Sequence, residues 1–98
     1  MNVPQTIADI TPNGTATAVS TNTAPALATW IQFTAPSTNG ADVRVGDSNV
    51  GASRGATIAK GTSLIFPRVD FDQGRYDLTT IYVYGASGSD KVAITYLP

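Results

Sequence analysis

The sequence predicts a single all-β domain, an antiparallel β-sandwich or small barrel of about six to eight short strands with an extended N-terminal arm. Apolar and polar residues alternate at period two in several short segments, and Gly, Pro, Asn and Asp separate those segments. No segment repeats its apolar residues at helical spacing. The 98 residues fit one domain, so we expect residues 1–11 to form the arm and residues 12–98 the β-domain.

The arm carries three aliphatic side chains, Val3, Ile7 and Ile10, without a clear period. We take these three as candidate contacts with a partner. After the turn residues Pro-Asn-Gly, residues 15–19 are β-branched at alternate positions. This pattern predicts the first strand of the domain.

Residues 27–34 have the clearest alternation in the chain and predict a single strand. Ile31 and Phe33 are expected in the core. Trp30 would then lie on the outer face or at a rim, where a large aromatic residue marks a contact surface. The alternative is that Trp30 is buried beneath the N-terminal arm.

Residues 42–47 predict a further strand in which Val43 and Val45 point inward and Arg44 points outward. Because an outward arginine is available to a partner, Arg44 is a candidate partner contact.

Residues 48–61 are rich in Ser, Gly, Ala and Asn and predict a long loop with a short strand near its end. Residues 62–67 predict another strand, with Leu64 and Phe66 on one face. Pro67 ends this strand because proline has no N–H to donate to a neighbour.

A charged connection follows at residues 68–77, and two interpretations of it differ in chemistry. Asp70, Asp72 and Asp77 offer hard oxygen ligands around a Gly74 turn, as a calcium loop would. No Glu closes such a site, however, and two arginines compete for the same carboxylates. We therefore favour a salt-linked surface loop and expect no metal site and no cofactor.

Residues 78–84 and 91–97 predict a C-terminal hairpin. In the first of these strands one face is aliphatic and the other carries Tyr82 and Tyr84. Tyrosines in this position can cover the edge of their own core, stack on a sugar ring or contact a neighbouring subunit. All three interpretations remain open, and both tyrosines are candidate partner contacts.

The composition argues against catalysis. The chain has no His, Cys or Glu, so its seven Asp are the only carboxylate side chains. Imidazole bases, thiolate nucleophiles and the usual zinc sites are therefore excluded, and no nucleophile elbow or phosphate-binding loop is present. We expect a binding or structural protein and not an enzyme.

The charge and hydropathy patterns exclude two classes of partner. The formal net charge is −1 and the six basic residues are scattered, so nucleic-acid binding is not expected. There is no apolar stretch of the length that spans a membrane and no secretory signal pattern. We expect a product of the cytoplasm that contacts no membrane.

Several segments resemble a known class of proteins. They are WIQFTA from Trp30, VRVGDSNV from Val43, Gly55, KGTSL from Lys60, DLTTIYVYG from Asp77 and VAITY from Val92. Together they resemble small virion proteins of tailed bacteriophages, of the capsid decoration type also called cement or auxiliary head proteins. The resemblance runs from residue 27 to residue 96, and VRVGDSNV is its most distinctive part.

This resemblance implies a β-sandwich that binds the major capsid protein on the outer head surface and stabilises the shell. It also implies a homo-oligomer, with a trimer favoured, on the capsid surface of a virion made in a bacterial host cytoplasm. The matching positions are core and turn residues, so no binding residue is carried over. The arm lies outside the resemblance, and arms of this kind lace across neighbouring capsid subunits.

Two alternatives remain. One is a receptor- or carbohydrate-binding module of a tail or fibre, in which Trp30, Tyr82 and Tyr84 would form one stacking platform. The other is a neck or head-completion protein, which would form a ring.

Overall fold

The computed structural model describes residues 3–21, 27–69 and 74–98, and this part of the chain contains strands and no helix. The all-β prediction is confirmed. In chain order the strands are β1 (Gln5–Ile10), β2 (Thr17–Ala18), β3 (Leu27–Ala28), β4 (Trp30–Thr34), β5 (Val43–Gly46), β6 (Ala56–Ile58), β7 (Ser63–Phe66), β8 (Tyr76–Asp77), β9 (Tyr82–Tyr84) and β10 (Val92–Leu97). The described residues include no helix that is long and apolar enough to cross a membrane.

The strands form two four-stranded antiparallel sheets and one short strand pair. The first sheet has the order β1-β10-β4-β7, the second has the order β2-β9-β5-β6, and β3 pairs with β8. Neither sheet closes on itself, so the barrel alternative is wrong. The radius of gyration is 12.8 Å, close to the roughly 13 Å of a compact chain of 100 residues.

Both four-stranded sheets contribute to one hydrophobic core. Phe33 of β4 is fully buried and meets Phe66 of β7 edge to face, with ring centroids 5.0 Å apart. The other buried apolar residues of the core are Val19, Ala28, Ile31, Ala35, Val43, Val45, Ile58, Leu78, Ile81, Val83, Val92 and Ile94. The prediction that Ile31, Phe33, Val43 and Val45 point inward is confirmed.

The strand expected over residues 27–34 is broken at Thr29. The Thr29 N–H donates to the Leu97 carbonyl at 2.7 Å, and the Thr29 carbonyl accepts from the Val69 N–H at 2.9 Å. Thr29 lies between β3, which pairs with β8, and β4, which pairs with β10 and β7, and the alternation changes phase at this residue. Ala28 and Thr29 are both buried, whereas Leu27 is 41% exposed.

The predicted C-terminal hairpin is wrong. Strand β9 pairs with β2 and β5 in the second sheet, whereas β10 pairs with β1 and β4 in the first. The chain between them therefore crosses from one sheet to the other. Alternation indicates which face of a strand is buried but not which sheet it joins, and both strands bury an aliphatic face.

The N-terminal segment is an edge strand and not an extended arm. In β1, Gln5 lies opposite Tyr96 and Ile7 lies opposite Ile94, and the register shifts between Ile7 and Ile10. Both isoleucines pack against the core. The shift is a β-bulge, which adds one residue to β1 so that Ile7 and Ile10 point to the same face. Because these residues are three positions apart, the sequence shows no period of two in this strand.

Candidate functional site

The paired rows on the outer face of the first sheet carry no ionisable group, although the exposed Asp9 lies in the bulge of the edge strand β1 of the same sheet. The register gives three cross-strand rows of outward side chains. They are Leu97–Trp30, then Thr6–Thr95–Gln32–Ile65, then Ala93–Thr34–Ser63. We call these nine residues the uncharged face.

The rows of the uncharged face differ in polarity. In the end row Trp30 is half-buried and lies directly across from Leu97, and in the middle row Ile65 is 50% exposed and lies across from Gln32. Gln32 Nε2 donates to Ser63 Oγ at 3.2 Å, and the hydroxyls of Thr34 and Ser63 are 2.8 Å apart. These polar groups already bond to one another, so covering them with a partner leaves fewer unpaired donors.

Trp30 lies on the outer face of its sheet, and the described N-terminal strand β1 is separated from it by β10. Strand β10 lies between β1 and β4 in the sheet, so the N-terminal segment pairs two strands away from Trp30. The side chain of Trp30 is therefore part of the sheet surface.

The outer face of the second sheet has a different chemistry. Tyr82 and Tyr84 are half-buried on β9 and alternate with the buried Val83. Arg44 lies directly across from Tyr84, and Thr57 lies across from Arg44 on the other side. We call the set Tyr82, Tyr84, Arg44 and Thr57 the tyrosine–arginine face.

The structure does not bring Trp30 together with the two tyrosines. Trp30 belongs to the first sheet, whereas Tyr82 and Tyr84 belong to the second. Strand pairing therefore does not place Trp30 beside the two tyrosines, as a single stacking platform of all three residues would require.

The three aliphatic residues near the N-terminus are placed differently from one another. Val3 is 58% exposed, while Ile7 and Ile10 are half-buried against the core. Only Val3 offers most of its surface to a partner.

Among the described residues, the carboxylates of Asp42, Asp47, Asp77 and Asp90 accept hydrogen bonds from neighbouring groups. The described part of the chain holds no group of three carboxylates able to bind a metal. Asp77 Oδ1 accepts from the backbone N–H of Thr79 at 2.9 Å and from its hydroxyl at 2.7 Å. Asp70 and Asp72, the other proposed calcium ligands, lie outside the described residues.

Two shallow depressions mark the surface. One, of about 270 Å³, is lined by Gly46, Asp47, Asn49, Val50, Arg54 and Gly55. The other, of about 340 Å³, is lined by Thr6, Ile7, Val19, Ser20, Thr21, Leu78 and Tyr96. The sequence predicted a strand that ends at Asp47 and a long loop that contains Asn49 and Arg54, and it gave no sign that these residues line one depression.

No protein-family model, curated protein or solved structure matches this chain. Its function must therefore be inferred from the two outer faces.

Proposed function

We propose that this protein is a non-enzymatic virion structural protein of the capsid decoration type, which binds the outer surface of a phage head and stabilises the shell. The single observation that carries the proposal is the uncharged face, which presents the apolar side chains of Trp30, Leu97 and Ile65. The major capsid protein is the partner. In this proposal the two four-stranded sheets are the layers of a β-sandwich, since both contribute to one core.

The composition of the uncharged face supports a protein partner. The centre of a protein interface is depleted in charged residues and enriched in aromatic ones, and tryptophan is frequent among the residues that dominate binding energy. Trp30 fits that role, because it is half-buried and held against Leu97 on the neighbouring strand.

The size of the face supports binding by several copies at once. Four strands about 4.8 Å apart and about 20 Å long cover roughly 400 Å², whereas a stable interface buries roughly 800 Å² on each partner. One copy would bind weakly through this face alone. A homo-oligomer, for which we favour a trimer, multiplies the contact and raises the effective affinity.

The open sheet edges supply surfaces for that oligomer. Strands β1 and β7 end the first sheet, and β2 and β6 end the second. Each presents unpaired backbone groups along the described part of the chain, and association with a second copy satisfies them. Association also stabilises the fold by mass action.

A charge placed on the uncharged face tests the proposal. Ile65→Lys puts an ammonium group at an exposed position of the edge strand β7, and Thr57→Lys does the same on the edge strand β6 of the other sheet. Each variant is sedimented with heads that lack this protein, and bound copies per head are counted. We expect Ile65→Lys to weaken binding at least tenfold and Thr57→Lys to leave it unchanged.

Equal binding by the two variants would contradict the proposal, provided that both melt at the temperature of the parent protein. Immunogold labelling of intact particles tests the location separately. Gold over the heads agrees with a decoration protein, whereas gold confined to the tail tips contradicts it.

A further inference from the structure

Two of the four tyrosines, Tyr82 and Tyr84, have no role in holding the fold together that the structure shows. The other two do. Tyr76 donates its hydroxyl to the Pro67 carbonyl at 2.8 Å and packs on Phe66, and Tyr96 packs against the core. Tyr82 and Tyr84 instead stand on the outer face of the second sheet. Within the described residues no protein group bonds to their phenol oxygens, so these remain available to a ligand.

The ring of Tyr82 is flanked by the two smallest residue types. Ala18 lies directly across from it on β2, and Gly46 lies directly across on β5. Side chains at such positions are close neighbours, and larger ones would cover the ring. Alanine and glycine are too small to cover the ring of Tyr82, which is half-buried.

Arg44 provides a fixed positive charge beside Tyr84. Its Nη1 donates to the Gly55 carbonyl at 3.1 Å, which holds the guanidinium on the outer face. A guanidinium has five N–H donors, so most of them remain for a ligand. No carboxylate of the described residues forms an ion pair with Arg44, and an anionic group on a ligand would complete the pairing.

The depression of about 270 Å³ adjoins this face. It shares Gly46 with the Tyr82 row and Gly55 with the hydrogen bond of Arg44. Its lining contains both hydrogen-bond acceptors and donors, on the side chains of Asp47, Asn49 and Arg54. Its size is just below that of ordinary small-molecule pockets, which suits a single ring.

We propose that the tyrosine–arginine face and this depression bind a carbohydrate that carries a carboxylate. The apolar face of a sugar ring packs on Tyr82, the carboxylate pairs with Arg44, and the hydroxyls bond to the polar lining of the depression. This activity goes beyond attachment to a shell and uses a different sheet from the uncharged face.

The position of β9 favours a sugar over an acidic peptide. An extended peptide binds a sheet by pairing with an open edge. Strand β9 lies between β2 and β5, so its backbone is paired on both sides and offers no such edge. A ligand on β9 therefore binds through the side chains of this strand, as a stacked ring does.

A titration followed by two-dimensional ¹⁵N NMR tests the proposal with defined probes. The acidic probes are sodium D-galacturonate, D-glucuronate and N-acetylneuraminate, each up to roughly 50 mM, where millimolar Kd values are detectable. D-galactose, sodium acetate and an oligoglutamate peptide are the comparison probes. We expect at least one acidic sugar to shift the amide signals of Arg44, Gly46, Tyr82 and Tyr84, with galactose and acetate at least tenfold weaker.

Matched variants separate binding from folding. Tyr82→Ala and Arg44→Gln should each weaken binding of the acidic sugar at least tenfold, while the opposite-sheet variant Trp30→Ala should bind like the parent. The proposal is overturned if no acidic sugar shifts these signals, if acetate shifts them equally, or if only the peptide does. Heads take no part in this experiment, so its outcome is independent of shell attachment.

Discussion

The carboxamide of Asn39 and the backbone of Lys91 exchange two hydrogen bonds, each 2.9 Å long. Beside them, Asp90 Oδ1 accepts from the backbone N–H groups of Gly40 and Ala41 at 2.9 and 3.3 Å. Asn39 and Asp90 are both buried. They join two loops that cross between the sheets, one from β4 to β5 and the other from β9 to β10. We call the hydrogen bonds of Asn39 and Asp90 the polar clasp, because they hold these two loops together.

Removing the Asn39 carboxamide should strongly destabilise the protein. Asn39→Ala leaves the N–H and the carbonyl of Lys91 without their partner in two partly buried hydrogen bonds, and an unsatisfied buried group costs about 1–3 kcal/mol. We expect the free energy of unfolding in urea to fall by about 2–4 kcal/mol. The control is Asn49→Ala, an exposed position where a change within about 0.5 kcal/mol is expected. Similar losses in the two variants would show that the clasp contributes little.

At Asp90 the acceptor should matter more than the charge. Asp90→Asn keeps an oxygen that can accept from Gly40 and Ala41, whereas Asp90→Ala removes it. Asp90→Ala should therefore lose at least about 1 kcal/mol more stability than Asp90→Asn, as measured by thermal and urea unfolding. If the two variants were equally unstable, the hydrogen bonds to the loop would not be the cause.

Gly55 should not tolerate alanine. Its φ is +107°, and a Cβ there would lie 2.5 Å from Val50 Cγ2 and 2.8 Å from the Val45 carbonyl oxygen. The strained backbone and the overlap together should lower stability by at least about 2 kcal/mol. Gly51 is the matched control, since a Cβ there meets nothing within 4 Å. A Gly51→Ala variant as unstable as Gly55→Ala would contradict this account.

Truncation should distinguish an edge strand from a dispensable arm. Deleting residues 1–10 removes β1, opens the edge of β10 and uncovers core contacts of Ile7 and Ile10. We expect a marked loss of stability in urea unfolding, whereas deleting residues 1–4 should have little effect. A fully stable protein without residues 1–10 would restore the interpretation of this segment as an arm.

The sequence predicted buried faces better than it predicted neighbours. Alternation placed Val43, Val45, Ile31 and Phe33 in the core because a strand with one buried face must repeat every two residues. A strand shows the same pattern in either sheet. The pattern therefore could not show that β9 and β10 belong to different sheets. The sequence identified Tyr82, Tyr84 and Arg44 one by one as outward residues. It could not show that they lie on a different sheet from Trp30, because that depends on long-range strand pairing.

The pairing of β1 with β10 also bears on how the chain folds. Gln5 lies opposite Tyr96, so this pair joins the two ends of the described chain. Closing so long a loop costs more entropy than closing a hairpin, and folds rich in such distant pairings fold slowly, on a timescale of roughly milliseconds to seconds. Until β1 pairs with β10, the edge of β10 stays open to β1 of another molecule. Newly made chains can then associate before each one has folded.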